Sequence, residues 1–205
     1  MNPKSSIRTM TTFYLIRHAH CEPLGKWLAG RQPGVHLTEE GLRQARHLSR
    51  RLESQQFDFI CSSPLERARE TAEAIAAPRG QEVRPVEAIT EVETGDWTGK
   101  RFDELAADPA WERFNTVRGI TRIPGGETIL EVQDRMVTEL LFWVQAAPDA
   151  TVAFVSHADP LRIAVAYFLG MPPDLMLRLS IEPASVSVLE IDAYGARLVL
   201  LNSTG

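Results

Sequence analysis

Cysteine, lysine and long apolar runs are all scarce in this chain, and each scarcity excludes something. Only Cys21 and Cys61 are cysteines, with no CxxC spacing between them. A disulfide framework and a cysteine-based zinc cluster are therefore excluded, and the simplest expectation is a pair of reduced thiols in a cytoplasmic protein. The longest apolar run, residues 163–169, is far too short to span a bilayer, which predicts no membrane partner. The first ten residues carry Lys4 and Arg8 but no apolar stretch of the kind a secretion signal needs. Of the 22 cationic residues only Lys4, Lys26 and Lys100 are lysine. Positive charge is thus almost all guanidinium, the group that grips phosphate and carboxylate with two prongs. The formal net charge of -5 argues against a nucleic-acid partner, yet it excludes no small anionic substrate.

What is present is ordinary for a globular protein. Of 205 residues 44% are hydrophobic and 24% charged, close to the globular average. A chain of this length buries roughly 70% of its unfolded surface and needs no metal or disulfide to fold. One domain is expected over residues 1–205, with a cap-like insertion at about 92–123, where Gly, Trp and Pro replace clear periodicity.

Strand and helix signals alternate along the rest. Thr12 to Ile16 reads as a buried strand. Thr38 reads as an N-cap, with Glu39 and Glu40 in the first turn and Leu42, Ala45, Leu48 and Leu52 at helical spacing. Phe57 to Cys61 predicts a second strand. Ser63 and Glu66 have capping-box spacing around Pro64, which predicts a helix from there to about Ala77. A third strand is expected near residues 83–86. Thr128 and Glu131 form another capping-box pair before a helix bearing Leu130, Val137, Leu140, Leu141 and Val144. Thr151 to Ser156 is the nearly continuous apolar run of a strand covered on both faces, and Asp159 is placed to cap the helix opening at Pro160. Residues 185–191 and 196–201 read as a terminal hairpin, whose exposed edge leaves room for a homodimer. The alternation predicts an α/β three-layer sandwich with a mainly parallel sheet of about six strands.

Three of these strands end in polar clusters: Arg17-His18-Ala19-His20, then Ser62-Ser63-Pro64 leading to Arg67, then Ser156-His157-Ala158-Asp159. Ligands of open α/β sheets bind beyond the carboxyl ends of the strands, so the fold can bring these distant clusters together. Two histidines, two arginines and two helix N-termini make an anion site suited to a phosphoryl group. A metal is the competing reading, because His18, His20, His157 and Asp159 are ligand types for zinc. Arg17 and Arg67 would repel such a cation. A thiol-phosphatase loop at Cys21 would need arginine six positions on, where Trp27 stands. No P-loop, dinucleotide-binding glycine loop, nucleophile elbow or HExxH motif is present.

The ordered blocks Arg17-His18-Ala19, Leu37-Thr38-x-x-Gly41-x-x-Gln44-Ala45 and Ser62-Ser63-Pro64-x-x-Arg67-Ala68-x-x-Thr71-Ala72 resemble the histidine phosphatase (phosphoglycerate mutase-like) superfamily. Glu91-x-x-x-Gly95-x-Trp97-x-Gly99, Gly125-Gly126-Glu127-Thr128 and Val155-Ser156-His157 continue the match, which spans Phe13 to Arg162. The resemblance implies metal-independent hydrolysis of a small phosphomonoester, with a cofactor-dependent phosphomutase as the alternative and no cofactor in the phosphatase. It implies His18 as the nucleophile that becomes phosphohistidine, Arg17, Arg67 and His157 as holders of the phosphoryl oxygens, and Glu91 as proton donor, with Glu93 the nearby competitor. Ala158, His20 and Arg31 are expected to contact phosphate or substrate. Ala19 and Ala158 replace glycines common in the family, His20 stands where Glu or Gln is usual, and Thr98 replaces a Glu. These departures bear on substrate choice.

Overall fold

The computed structural model describes residues 9–205, so most of the amino-terminal stretch read for a secretion signal lies outside the described residues. Six strands form one sheet: β1 (Met10–Arg17), β2 (Phe59–Ser62), β3 (Val83–Pro85), β4 (Thr151–Ser156), β5 (Val186–Asp192) and β6 (Gly195–Ser203), in the order β3-β2-β4-β1-β5-β6. β3, β2, β4 and β1 run parallel to one another, whereas β5 pairs antiparallel with β1 and β6 antiparallel with β5. Helices α1 (Glu39–Arg51) and α2 (Glu66–Ala76) pack on one face, α5 (Ile129–Ala146) and α6 (Ala158–Phe168) on the other.

Strand alternation decides which core each side chain joins. Phe13 and Leu15 of β1 point toward α5 and α6, among Val152, Phe154, Val132 and Ile163. Ile16 and Tyr14 point the other way, toward Ala45, Leu48, Ala72 and Ile75. Both faces being covered, β4 reads as an unbroken apolar run. Two helices turn differently from expectation. Leu42 is 43% exposed, and α1 instead packs through Gly41, Ala45, Leu48 and Ser49. A Cβ on Gly41 would sit 2.0 Å from the His20 carbonyl oxygen, so this close approach requires glycine. In α5 the buried stripe is Ile129, Val132, Met136, Val137, Leu140 and Trp143, while Leu130 and Leu141 are exposed.

Residues 92–123 add no strand to the sheet. They hold two short helices, α3 (Phe102–Leu105) and α4 (Pro109–Thr116), packed around Trp97. Trp97 is buried, makes edge contacts with Trp111 and Phe114, and donates its indole N–H to Asp108 at 3.0 Å. Among the described residues no helix is long and apolar enough to cross a membrane.

Candidate active site

The sheet register sets the site. Arg17 is level with Ser156, and Ser62 with Val155, so β1, β2 and β4 end together. The polar residues that follow each strand must therefore meet. Arg17, His18, Arg67, Glu91 and Asp159 line one cavity of about 150 Å³. The His18 and His157 rings meet edge to face, with centroids 5.1 Å apart.

His18 is held in one tautomer. Its Nδ1 lies 2.7 Å from the Ala19 carbonyl oxygen, which can only accept, so Nδ1 carries the proton and Nε2 keeps its lone pair. The side chain is 4% exposed. Burial, with the charges of Arg67 and Arg17 next, holds its pKa well below the ordinary imidazole value. The ring is thus neutral and nucleophilic at neutral pH. The backbone beneath it is fixed as well: His18 N–H donates to Ser156 O, and Ala19 N–H donates to Thr71 Oγ1, whose hydroxyl donates to Arg67 O.

Arg17, Arg67 and His157 each present an unsatisfied group. Arg17 donates through Nη1 to Ile181 O and Arg67 through Nη2 to Gly30 O, while Arg17 Nε, Arg67 Nη1 and His157 Nδ1 are buried with no hydrogen-bond partner. Buried guanidinium N–H groups without acceptors are costly, and two of them beside the unbonded His157 ring nitrogen fit an anionic oxygen ligand. His157 is fully buried, and its Nε2 lies 2.8 Å from Ser63 Oγ. Burial, then Arg67 and His18, hold its pKa well below the ordinary value.

Glu91 lines the same cavity, with Oε2 3.8 Å from His157 Nδ1 and its side chain 20% exposed. Burial and then the Asp159 charge raise its pKa above the usual carboxylate value, as a proton donor requires. Its backbone is clamped. Arg31 Nε and Arg135 Nη2 both donate to the Glu91 carbonyl, and Arg135 Nη1 also donates to Ala88 O and Thr90 O. Glu127 bridges the two guanidiniums. Glu93 does not line the cavity. Its Oε1 accepts from Gly95 N–H and its other oxygen faces Arg31 at 3.8 Å.

His20 and Arg31, expected to contact substrate, each have partners within the protein. The His20 ring is bonded to Thr38 Oγ1 at 2.9 Å, and Arg31 is drawn to the Glu91 carbonyl and neutralised by Glu127. Ala158 is the first, half-buried residue of α6. Ser63 makes no capping box: α2 starts at Glu66 with Leu65 as its extended N-cap, and the Ser63 hydroxyl turns to His157. Nor does Asp159 cap α6. Its carboxylate binds Arg118 Nη1 at 3.0 Å and Arg162 Nη1 at 2.9 Å. The four proposed metal ligands therefore do not converge, and among the described residues no three His, Cys, Asp or Glu side chains could hold a metal ion. Arg118, Arg135 and Glu127 were not foreseen. Glu127 lies in the Gly-Gly-Glu-Thr block, which could have flagged it, whereas nothing local marks Arg118 or Arg135.

Known proteins share this architecture. A model of the histidine phosphatase superfamily (branch 1) matches residues 13–204. Phosphoserine phosphatase 1 of Hydrogenobacter thermophilus is 29% identical over 199 residues, covering 95% of this chain and 93% of that protein. A probable phosphoglycerate mutase GpmB of Cronobacter sakazakii is 32% identical over 184 residues, covering 87% of this chain and 84% of the relative. The solved structure of a phosphoserine phosphatase mutant from Entamoeba histolytica in complex with phosphoserine superposes with a TM-score of 0.86 at 27% identity, covering 95% of this chain and 98% of that one.

Proposed function

The chain belongs to the histidine phosphatase superfamily, and from that premise we propose that His18, Arg17, Arg67, His157 and Glu91 carry out metal-independent hydrolysis of a small phosphomonoester. The observation that carries this is the neutral, buried His18 whose Nδ1 is turned to the Ala19 carbonyl, set beside two unpaired guanidinium N–H groups and sharing its cavity with a carboxyl of raised pKa.

The steps follow from these groups. His18 Nε2 attacks phosphorus as the ester P–O bond breaks, and Glu91, in its acid form, gives its proton to the departing oxygen. Arg17, Arg67, His157 and the α6 N-terminus, opened by the Ala158 N–H, hold the non-bridging oxygens. Glu91, now a carboxylate, takes a proton from water as that water attacks the phosphohistidine, and inorganic phosphate and neutral His18 are restored. Positioning and fixed positive charge supply the catalysis that a metal gives elsewhere. Residues 92–123 act as the cap over the leaving group. The partial exposure of Glu91 favours water as acceptor; transfer to a second hydroxyl, a mutase outcome, is the reading supported by the relative named as a probable phosphoglycerate mutase.

We further propose cytoplasmic action on a small phosphorylated metabolite, with no nucleic-acid or membrane partner, consistent with two free buried thiols and the acidic charge balance. The exposed β6 edge is where a homodimer would join. The test is p-nitrophenyl phosphate turnover in excess EDTA, with rapid-quench trapping of an acid-labile phosphoenzyme. Sustained turnover and phosphate on His18 are expected. Activity that EDTA abolishes and metal restores overturns the proposal.

A further inference from the structure

Of the five groups proposed for the reaction, Glu91 has the least support from regular structure. Arg17 ends β1 and His18 follows it, Arg67 lies in α2, and His157 links β4 to α6. Thr90 and Glu91 lie in no helix or strand. The Glu91 carboxyl is tied to its own chain: Oε1 accepts from Val92 N–H at 2.9 Å, and no other group among the described residues hydrogen-bonds it. A carboxyl held by its own backbone goes where that backbone goes. Its place 3.8 Å from the His157 ring is therefore set by whatever fixes residues 88–91.

Side chains take every carbonyl of that stretch. Ser156 Oγ donates to Ile89 O at 2.6 Å. Arg135, in the second turn of α5, takes the other three: Nη1 donates to Ala88 O at 2.7 Å and to Thr90 O at 2.8 Å, and Nη2 to Glu91 O at 3.1 Å. Nε and Nη2 also donate to the two oxygens of Glu127, at 3.0 and 3.2 Å, which sets the plane of the fork. A guanidinium has five N–H groups, and Arg135 spends all of them. Arg17 and Arg67 each keep a buried N–H unpaired, as ligand-binding groups do before the ligand arrives. The fully bonded Arg135 instead has the contacts of an internal support. A planar fork reaches carbonyls in two directions at once, whereas an ammonium presents its N–H groups from a single atom. The precision matters, because a misplacement of about 1 Å at a reacting group can cost about 10²-fold in rate.

We propose that Arg135 is a positioning residue for the proton transfer: by gathering the carbonyls of Ala88, Thr90 and Glu91 it holds the Glu91 carboxyl where it can protonate the departing oxygen. This deepens the phosphatase reading and rests on it. The test compares kcat/KM for phenyl phosphate and p-nitrophenyl phosphate, esters of similar shape whose leaving groups differ in basicity. Phenolate is the more basic and gains more from the proton. An arginine that served stability alone would lower both values equally, through the fraction of folded protein. Arg135→Met should instead lower the phenyl value about fivefold more than the nitrophenyl value, and in a Glu91→Gln background it should shift that ratio no further. Should Arg135→Met fail to fold, Arg135→Lys, which keeps charge but not the planar fork, shifts the ratio the same way by a smaller factor. Equal losses on the two esters, a ratio that shifts as much without Glu91 as with it, or a ratio that Glu91→Gln itself leaves unchanged overturns the inference. Failure of the phosphatase reading shows separately, as wild-type protein that turns over neither ester and forms no phosphoenzyme.

Discussion

The two ends of the cavity are built on different principles. At the proposed phosphate end every group ends or follows a strand of the parallel sheet: Arg17 closes β1 and His18 follows it, Ser63 and Arg67 come after β2, and His157 comes after β4. Backbone register, not side-chain packing, brings them level. At the leaving-group end the walls come from the loop containing Trp27 and from residues 92–123, where aromatic rings pack on one another and no strand contributes. A sheet end cannot move one residue without turning its side chains to the other face, so the chemistry is locked to the fold. Loops and short helices carry no such constraint, so leaving-group choice can vary while phosphoryl transfer is kept.

The largest expected effect breaks the phosphate end alone. His18→Ala removes the proposed nucleophile, and turnover of p-nitrophenyl phosphate should fall by about four orders of magnitude or more. Affinity for vanadate should change far less, because Arg17, Arg67 and His157 remain in place. Steady-state kinetics beside vanadate titration checks both halves. A variant turning over near the wild-type rate would remove His18 from the mechanism.

The next effect sits where the two ends meet. Glu91→Gln should slow isopropyl phosphate by about 10²- to 10⁴-fold. It should slow p-nitrophenyl phosphate much less, because nitrophenolate leaves without a proton. The pH profile carries the sign. The proposed first step needs Glu91 protonated, and burial, with the Asp159 charge next, raises its pKa. The acid form therefore persists above the usual carboxylate range, and kcat/KM for an alkyl ester falls as pH rises through the Glu91 pKa. In Glu91→Gln that fall should be shallower by one proton. An unchanged limb would return Glu93 to consideration.

The same contrast governs what was legible in the sequence. The strands, the convergence of Arg17, His18, Arg67 and His157 in one site, and the Thr128 capping box, whose hydroxyl accepts from Glu131 N–H, follow from local pattern plus the rule that ligands gather at strand ends. The groups around Glu91 and Asp159 are different. Arg118, Arg135 and Glu127 find partners across long sequence separations, and no local periodicity encodes those meetings. Where local pattern misled, a buried group made a stronger demand. Asp159 stands in the first turn of α6 like a cap, but two guanidiniums hold its carboxylate. Arg31, read as a substrate contact, also donates to the Glu91 carbonyl, a role its local sequence does not announce.

Ser63 supplies the smallest effect and the sharpest form of the comparison. Capping-box spacing to Glu66 assigns its hydroxyl to helix stability, whereas the structure gives it to His157 Nε2 at 2.8 Å, with a longer 3.3 Å bond accepted from Leu65 N–H. A capping side chain lost to alanine costs typically about 1 kcal/mol of stability and leaves catalysis alone. Loss of a bond that orients a phosphoryl-holding imidazole costs a similar energy in the transition state, so Ser63→Ala should lower kcat/KM about three- to tenfold. Glu66→Ala, which removes the other half of the supposed box, should leave kcat/KM nearly unchanged, because its carboxylate accepts from Gly34 N–H on the surface. Kinetics and thermal melting on the two variants separate the roles. Equal losses of stability with unaltered kinetics would give Ser63 back to the helix, and a kinetic defect confined to Ser63→Ala would leave the hydroxyl to the site at the strand ends.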